Sequence, residues 1–123
     1  MSYSISPSDD GLYLILKITG NINRRVAMEY NLKAHAIGAE LGISRYLVDL
    51  TESRNIDSAV DTYEFAYNDM RQEPQISRAA RIALVVAPGD HSHDFVETVA
   101  RNSGLDVVIF TDRAAAEQYL QMQ

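Results

Sequence analysis

The 123-residue chain contains no cysteine. Disulfide bonds, thiolate nucleophiles and cysteine-based zinc sites are therefore excluded. The absence of cysteine also agrees with a reducing compartment, and we expect a cytoplasmic protein. The first residues, Met-Ser-Tyr-Ser-Ile-Ser, place no basic stretch ahead of an apolar one, so we expect no signal peptide.

Long apolar runs and clusters of basic residues are also missing. The longest apolar runs, residues 12–16 and 82–87, are far too short to span a bilayer, so we expect no integral membrane association. The net charge is −6, and the 11 basic residues are scattered apart from Arg24 and Arg25. Because nucleic-acid affinity depends on clustered Lys and Arg, we expect no binding of DNA or RNA.

The overall composition is that of one globular domain. Hydrophobic residues make up 46% of the chain and charged residues 23%, which excludes a disordered protein. We find no repeats, low-complexity tracts or linkers, so residues 1–123 are expected to form a single domain with its own core.

The N-terminal third predicts a hairpin and then a helix. Residues 3–6 and 12–19 are short β-type runs separated by a turn cluster. Gly20 and Asn21 are expected to break the second strand, and Asn21 or Asn23 to cap the helix. Gly42 is placed to end this helix. Its apolar stripe is spaced by fours and threes: Val26, Tyr30, Ala34, Ile37 and Leu41.

Three nearly continuous apolar strands follow, each separated from the next by a helix. Residues 46–50, 81–87 and 107–110 have the pattern of strands buried in a parallel sheet. Asn55, Asp57 and Ser58 are candidate caps of the second helix. The predicted order is ββαβαβαβα. It indicates an α/β fold with a mixed, mostly parallel five-stranded sheet, an N-terminal antiparallel hairpin and about four helices.

The order of these elements resembles the SpoIIAA-like branch of the STAS family, whose fold is also compared with Sec14-like lipid-binding domains. Three stretches carry the resemblance over nearly the whole chain: Tyr-Leu-Val-Asp-Leu-Thr at 46–51 with Asn-Ile-Asp-Ser at 55–58, Arg-Ile-Ala-Leu-Val-Val at 81–86, and Val-Val-Ile-Phe-Thr-Asp at 107–112 running into the last helix. The resemblance implies a SpoIIAA-like domain with a binding or regulatory role.

In anti-sigma-factor antagonists of this family, a serine at the start of the second helix is phosphorylated. Asp57 and Ser58 match that motif, whereas Ala59 and Val60 replace the second hydroxyl and the glycine. Ser58 is thus a candidate phosphorylation site in a degenerate motif. The alternative is that Ser58 only caps the helix, since a hydroxyl there accepts a backbone N–H.

Polar residues beyond the predicted strands form a candidate ligand-binding edge. Arg54, Arg113 and the loop that contains His91 and His93 all follow strands, and ligands collect at the carboxyl ends of parallel strands. Two loop imidazoles do not complete a metal site, and His35 lies on the first helix, so we predict no metal site. A solvated loop of ordinary charges is the alternative.

The second helix carries an excess of large side chains. Tyr63, Phe65 and Tyr67 are two residues apart, so on an α-helix the three cannot face one core. Tyr63, Tyr67 and Met70 are expected to share a face, while Phe65 faces elsewhere. Such a helix can serve as a ligand cover or a partner surface, and the surplus aromatics are compatible with a homodimer. The alternative is that these are ordinary exposed aromatic residues, which are common on protein surfaces.

These patterns favour a non-enzymatic binding or regulatory domain. Its predicted ligand is a small apolar or lipid-like molecule held beneath the second helix; the alternative is a protein-interaction regulator that resembles an anti-sigma-factor antagonist. We find no nucleophile elbow, phosphate loop or dinucleotide fingerprint, and we expect no cofactor. An enzyme would need His91 or His93 to face a pocket beside Asp90 or Asp94.

Overall fold

The computed structural model of the chain describes residues 2–56, 58–70, 72–74, 79–102 and 104–122, with the side chains at 59, 62, 66 and 67 left aside. Within these ranges the strands are β1 (Ser2–Pro7), β2 (Leu14–Ile22), β3 (Arg45–Asn55), β4 (Arg81–Val86) and β5 (Asp106–Phe110). The α-helices are α1 (Arg24–Leu41), α2 (Ala59–Glu64), α3 (Asp94–Asn102) and α4 (Arg113–Gln121). A π-helix, Phe65–Met70, continues α2; we call it the π segment, and α2 with the π segment the second helix.

The strands lie in the order β1-β2-β3-β4-β5, with β1 antiparallel to β2 and every later pair parallel. The predicted mixed α/β fold is confirmed. Right-handed crossovers between sequential parallel strands place the connecting helices on one face of the sheet. Here α1, the second helix and α3 cover what we call the front face, and α4 packs against the back face.

The two faces of the sheet have separate hydrophobic clusters, because successive strand residues point to opposite sides. Buried residues of the front cluster include Leu16, Ile18, Val48, Ile82, Val26 and Val99. The back cluster is smaller and is formed by Tyr13, Leu47, Ala83, Val85, Ala116 and Leu120.

Helix α1 begins and ends at predicted residues. The Asn23 side chain accepts a hydrogen bond from the Val26 N–H at 2.9 Å, so Asn23 and not Asn21 is the cap. Gly42 ends the helix in the left-handed region, with φ +71°. The predicted stripe is buried only in part, since Leu41 is exposed.

Two strands run further than the sequence predicts. Gly20 does not break β2: its φ of +102° suits glycine and lets the strand continue to Ile22 beyond a bulge between Lys17 and Thr19. Strand β3 continues in register with this extension as far as Asn55. The expectation that the stretch ending at Arg54 follows the strand was therefore wrong, because parallel pairing extends the strand through it.

Candidate functional site

A cavity of about 90 Å³ lies between the front face of the sheet and its helical cover. Its floor is apolar and comes from alternate positions on four strands: Ile18, Val48, Leu50, Ile82, Leu84 and Val107. Phe65, Met70, Val96 and Ala100 close it from the helices. This is the location beneath the second helix at which the sequence predicts a ligand.

The π segment brings two of the predicted cover residues together. Phe65 and Met70 both line the cavity, so the expectation that Phe65 faces away from Met70 was wrong. A π-helix bonds residues five apart, which moves such residues towards a common face, whereas on an α-helix they would diverge. Tyr63 is 42% exposed. The Tyr67 side chain lies outside the described residues, and its role stays a prediction.

A bidentate ion pair joins the π segment to the start of α1. Arg24 Nε donates to Asp69 Oδ2 at 2.5 Å, and Arg24 Nη2 donates to Asp69 Oδ1 at 2.9 Å. These hydrogen bonds raise the pKa of Arg24. Since Arg24 also lines the cavity, the pair fixes the cover at the edge of the cavity.

His93 is a buried polar side chain in the wall of the cavity. It is only 4% exposed, and its Nε2 has no hydrogen-bond partner among the described residues. Burial lowers the pKa of His93, while the Asp90 carboxylate and a hydrogen bond to the Ser53 backbone raise it in part. The ring is therefore neutral near pH 7. No pattern in the sequence indicates that this loop residue is buried.

Exposure in the rest of the histidine loop, residues 90–94, is uneven: His91 and Asp94 are exposed, whereas the Asp90 side chain is only 10% exposed. The His91 side chain is 80% exposed and pairs with Asp94 at 2.9 Å. Asp90 Oδ1 accepts the Ser92 N–H at 2.9 Å and lies 3.8 Å from Arg54 Nη1. The two histidines thus have different surroundings, and only His93 reaches the cavity.

The two candidate arginines pair with different carboxylates. Arg54 Nη1 lies 3.8 Å from Asp90 Oδ1 in the histidine loop. Arg113 Nη1 is 3.6 Å from Asp49 Oδ2, and Asp49 alternates with Leu47 of the back cluster. A ligand-binding role for either arginine stays a prediction.

Ser58 caps the second helix. Its Oγ accepts the Asp61 N–H at 3.2 Å and donates to Asp61 Oδ2 at 3.2 Å. Asp57, the other residue that matches the family motif, lies outside the described residues. Phosphorylation of the exposed Ser58 stays a prediction.

Neither a metal-binding cluster nor a membrane-crossing helix is found among the described residues. They contain no group of three or more His, Asp and Glu side chains arranged to hold a metal ion. In the same part of the chain, no helix has the length and apolar character needed to cross a membrane.

The comparison with solved structures finds a relative in shape. An uncharacterized protein of the DUF3478 family from Shewanella loihica PV-4, described as having a SpoIIAA-like fold, superposes with a TM-score of 0.56. The alignment covers 97% of this chain and 92% of that chain at 19% sequence identity. No protein-family model and no curated protein matches the sequence. At this identity the likeness shows the fold, and the chain has a SpoIIAA-like fold.

Proposed function

We propose that the chain is a non-enzymatic binding domain that holds a small, largely apolar ligand in the cavity beneath the second helix. The observation that carries the proposal is the cavity itself, with Phe65 and Met70 over an apolar sheet floor. Protein cores are packed to crystal-like density, and an apolar space with a few polar groups is the usual form of a small-molecule site.

The size of the cavity limits the ligand. About 90 Å³ is less than the roughly 150 Å³ of an apolar cavity that accepts benzene. A ring-sized ligand therefore needs a small outward movement of the cover, and a lipid chain needs a large one. The π segment is the element suited to move, since π-helical turns are rare and concentrate at functional sites.

Toluene is a suitable first probe, and its binding can be followed by the changes in amide chemical shifts in NMR spectra. We expect saturable shifts at residues that line the cavity. Ala100→Leu places extra methyl groups in the cavity and should abolish the shifts. Ala36→Leu makes the same change on the exposed side of α1 and should leave them intact. Absence of saturable shifts in the wild type, or equal binding by Ala100→Leu, would refute the proposal.

A second candidate function, a protein-interaction regulator, is favoured by exposed apolar side chains near the second helix. Val60 is 71% exposed, and Ile56, Tyr63 and Phe95 are also exposed. Such side chains tend to mark interaction surfaces. The homodimer is the partner that can be tested at once: sedimentation velocity of the wild type should show a dimer that Val60→Asp converts to monomer. A sedimentation coefficient that is unchanged in Val60→Asp would show that Val60 does not belong to a dimer interface.

A further inference from the structure

We infer that the ligand carries a hydroxyl group that forms a hydrogen bond with His93 Nε2 at the wall of the cavity. The inference rests on the proposed function, because it names the chemical class of the ligand for the same site. It predicts a small alcohol or phenol in place of a hydrocarbon or a carboxylate.

The geometry of His93 supports an anchoring role. The side chain lines the cavity and is 4% exposed, and its Nε2 has no partner among the described residues. Buried polar atoms in folded proteins are nearly always hydrogen-bonded, because an unpaired one carries its full desolvation cost. An unpaired ring nitrogen in an apolar wall therefore points to a hydrogen-bonding group on the ligand.

A hydroxyl group suits either tautomer of the neutral His93 ring. It donates to Nε2 if Nδ1 carries the ring proton, and it accepts from Nε2 if Nε2 carries the proton. The unpaired nitrogen can therefore be satisfied by the same ligand group in both cases.

The charged groups around His93 disfavour an anionic ligand. Asp90 Oδ2 lies 3.8 Å from Nε2, beyond hydrogen-bond distance, and Asp94 and Arg54 are the other charged groups that act on the ring. Asp90 therefore repels a carboxylate at this position. Arg54 already faces Asp90 and has a largely exposed side chain.

Several other polar side chains at the cavity already have partners. Asn23 accepts the Val26 N–H, Asn31 donates to the Ala27 carbonyl at 2.7 Å, and Arg24 is paired with Asp69. His93 Nε2 therefore stands out as the atom to which a ligand can bond. One polar group on an otherwise apolar ligand matches this wall.

Phenol and toluene form a matched pair of probes, since a hydroxyl replaces a methyl group on the same ring. Dissociation constants for both are measured by NMR titration of the wild type, His93→Phe and His91→Phe. His93→Phe keeps an aromatic ring but removes the ring nitrogens, and His91→Phe makes the same change at the exposed histidine. The ratio of the two dissociation constants is compared between variants, because the difference in hydration of the two probes cancels in that comparison.

We expect the preference for phenol over toluene to fall by about tenfold or more in His93→Phe and to stay unchanged in His91→Phe. In the wild type, phenol should move the ¹⁵N resonance of His93 Nε2 more than toluene does, a readout that does not depend on the folding of a variant.

The outcomes separate the two proposals. If both probes bind but neither the ratio nor the Nε2 resonance responds, the anchor is refuted and the binding function stands. If benzoate binds more tightly than phenol, the neutral hydroxyl class is refuted. If neither phenol nor toluene binds, the proposed function fails, and the anchor fails with it.

Discussion

The two faces of the sheet differ in how closely the helices pack against them. On the back, one helix packs on the sheet, and Ala116 and Leu120 are fully buried against Leu47 and Ala83. On the front, a larger apolar surface is covered by several helices that leave a cavity, and a histidine nitrogen in its wall has no partner among the described residues. A closely packed face stabilises the fold, so the other face can retain a cavity.

Polar groups on the two faces differ in whether they have hydrogen-bond partners among the described residues. On the back, the Tyr13 hydroxyl donates to Glu117 at 2.6 Å, and Asp49 accepts from the Thr51 N–H and hydroxyl. Burial, together with Glu117, raises the pKa of Tyr13 to about 12. On the front, His93 has a nitrogen without a described partner. We therefore expect substitutions at the back to change stability and substitutions at the front to change binding.

Leu120→Ala should have the largest effect on stability. The side chain is fully buried on the back, and truncation of such a residue costs about 2–5 kcal/mol through lost burial and the cavity left behind. Urea denaturation measures the loss. Toluene affinity of the folded fraction should stay within about twofold, as expected for distant sites. A large loss of affinity would mean that the two faces are coupled.

His35 should make the front face sensitive to acid. Burial lowers the pKa of His35 from 6.5 to about 4, so between these values the unfolded chain binds a proton that the folded chain does not. The free energy of unfolding should therefore fall as the pH drops from about 6.5 to about 4, by up to about 3 kcal/mol.

His35→Phe tests this origin, because it keeps the ring stacked on Tyr46, whose centroid lies 4.2 Å away. It should flatten the dependence of unfolding free energy on pH, while His91→Phe serves as the exposed control. An unchanged slope in His35→Phe would assign the acid sensitivity to other groups, among them His93, whose pKa is also lowered by burial.

Phe65→Ala should cost less stability than Leu120→Ala, about 1–3 kcal/mol, because Phe65 is half-buried and already borders a cavity. It should also widen the cavity, so naphthalene should bind more tightly relative to toluene than in the wild type. Phe95→Ala, at a more exposed phenylalanine, is the control and should change neither quantity by much. An unchanged ratio of naphthalene affinity to toluene affinity would place Phe65 outside the site.

Asp69→Asn should have the smallest effect on stability. Its main effect should be on how firmly the π segment is held against α1. It weakens the pair with Arg24 while keeping the shape of the side chain. Hydrogen exchange of amides in the π segment should become faster, and the rate of toluene association should rise. Glu29→Gln, which weakens the exposed pair with Lys33, is the control. Unchanged exchange would show that this pair does not hold the cover.

The sequence predicts most of the fold because periodicity and caps act locally. Asn23 and Gly42 bound α1 as expected, and the three buried strands have the predicted order. The strand extension past Gly20 was missed because a glycine with positive φ can end a strand or carry it on, and pairing with β3 decides between them.

The site could be predicted less well. The second helix stands out in the sequence by its aromatic residues, but α-helical spacing assigns its faces wrongly where the chain bonds five residues apart at Phe65 and Met70. His93 looks like a solvated loop residue next to His91, because nothing local separates the two. Its burial depends on tertiary contact with Ser53 of β3, which no local pattern encodes.

The most direct measurement of the central claim is a crystal structure of the protein under xenon pressure. Xenon binds apolar cavities without hydrogen bonds and is located by its anomalous signal. We predict a xenon site on the front face, in contact with Phe65, Met70 and Leu84, that is lost in Ala100→Leu. Well-diffracting xenon-treated crystals with no xenon at these residues would contradict the claim that this cavity receives ligands.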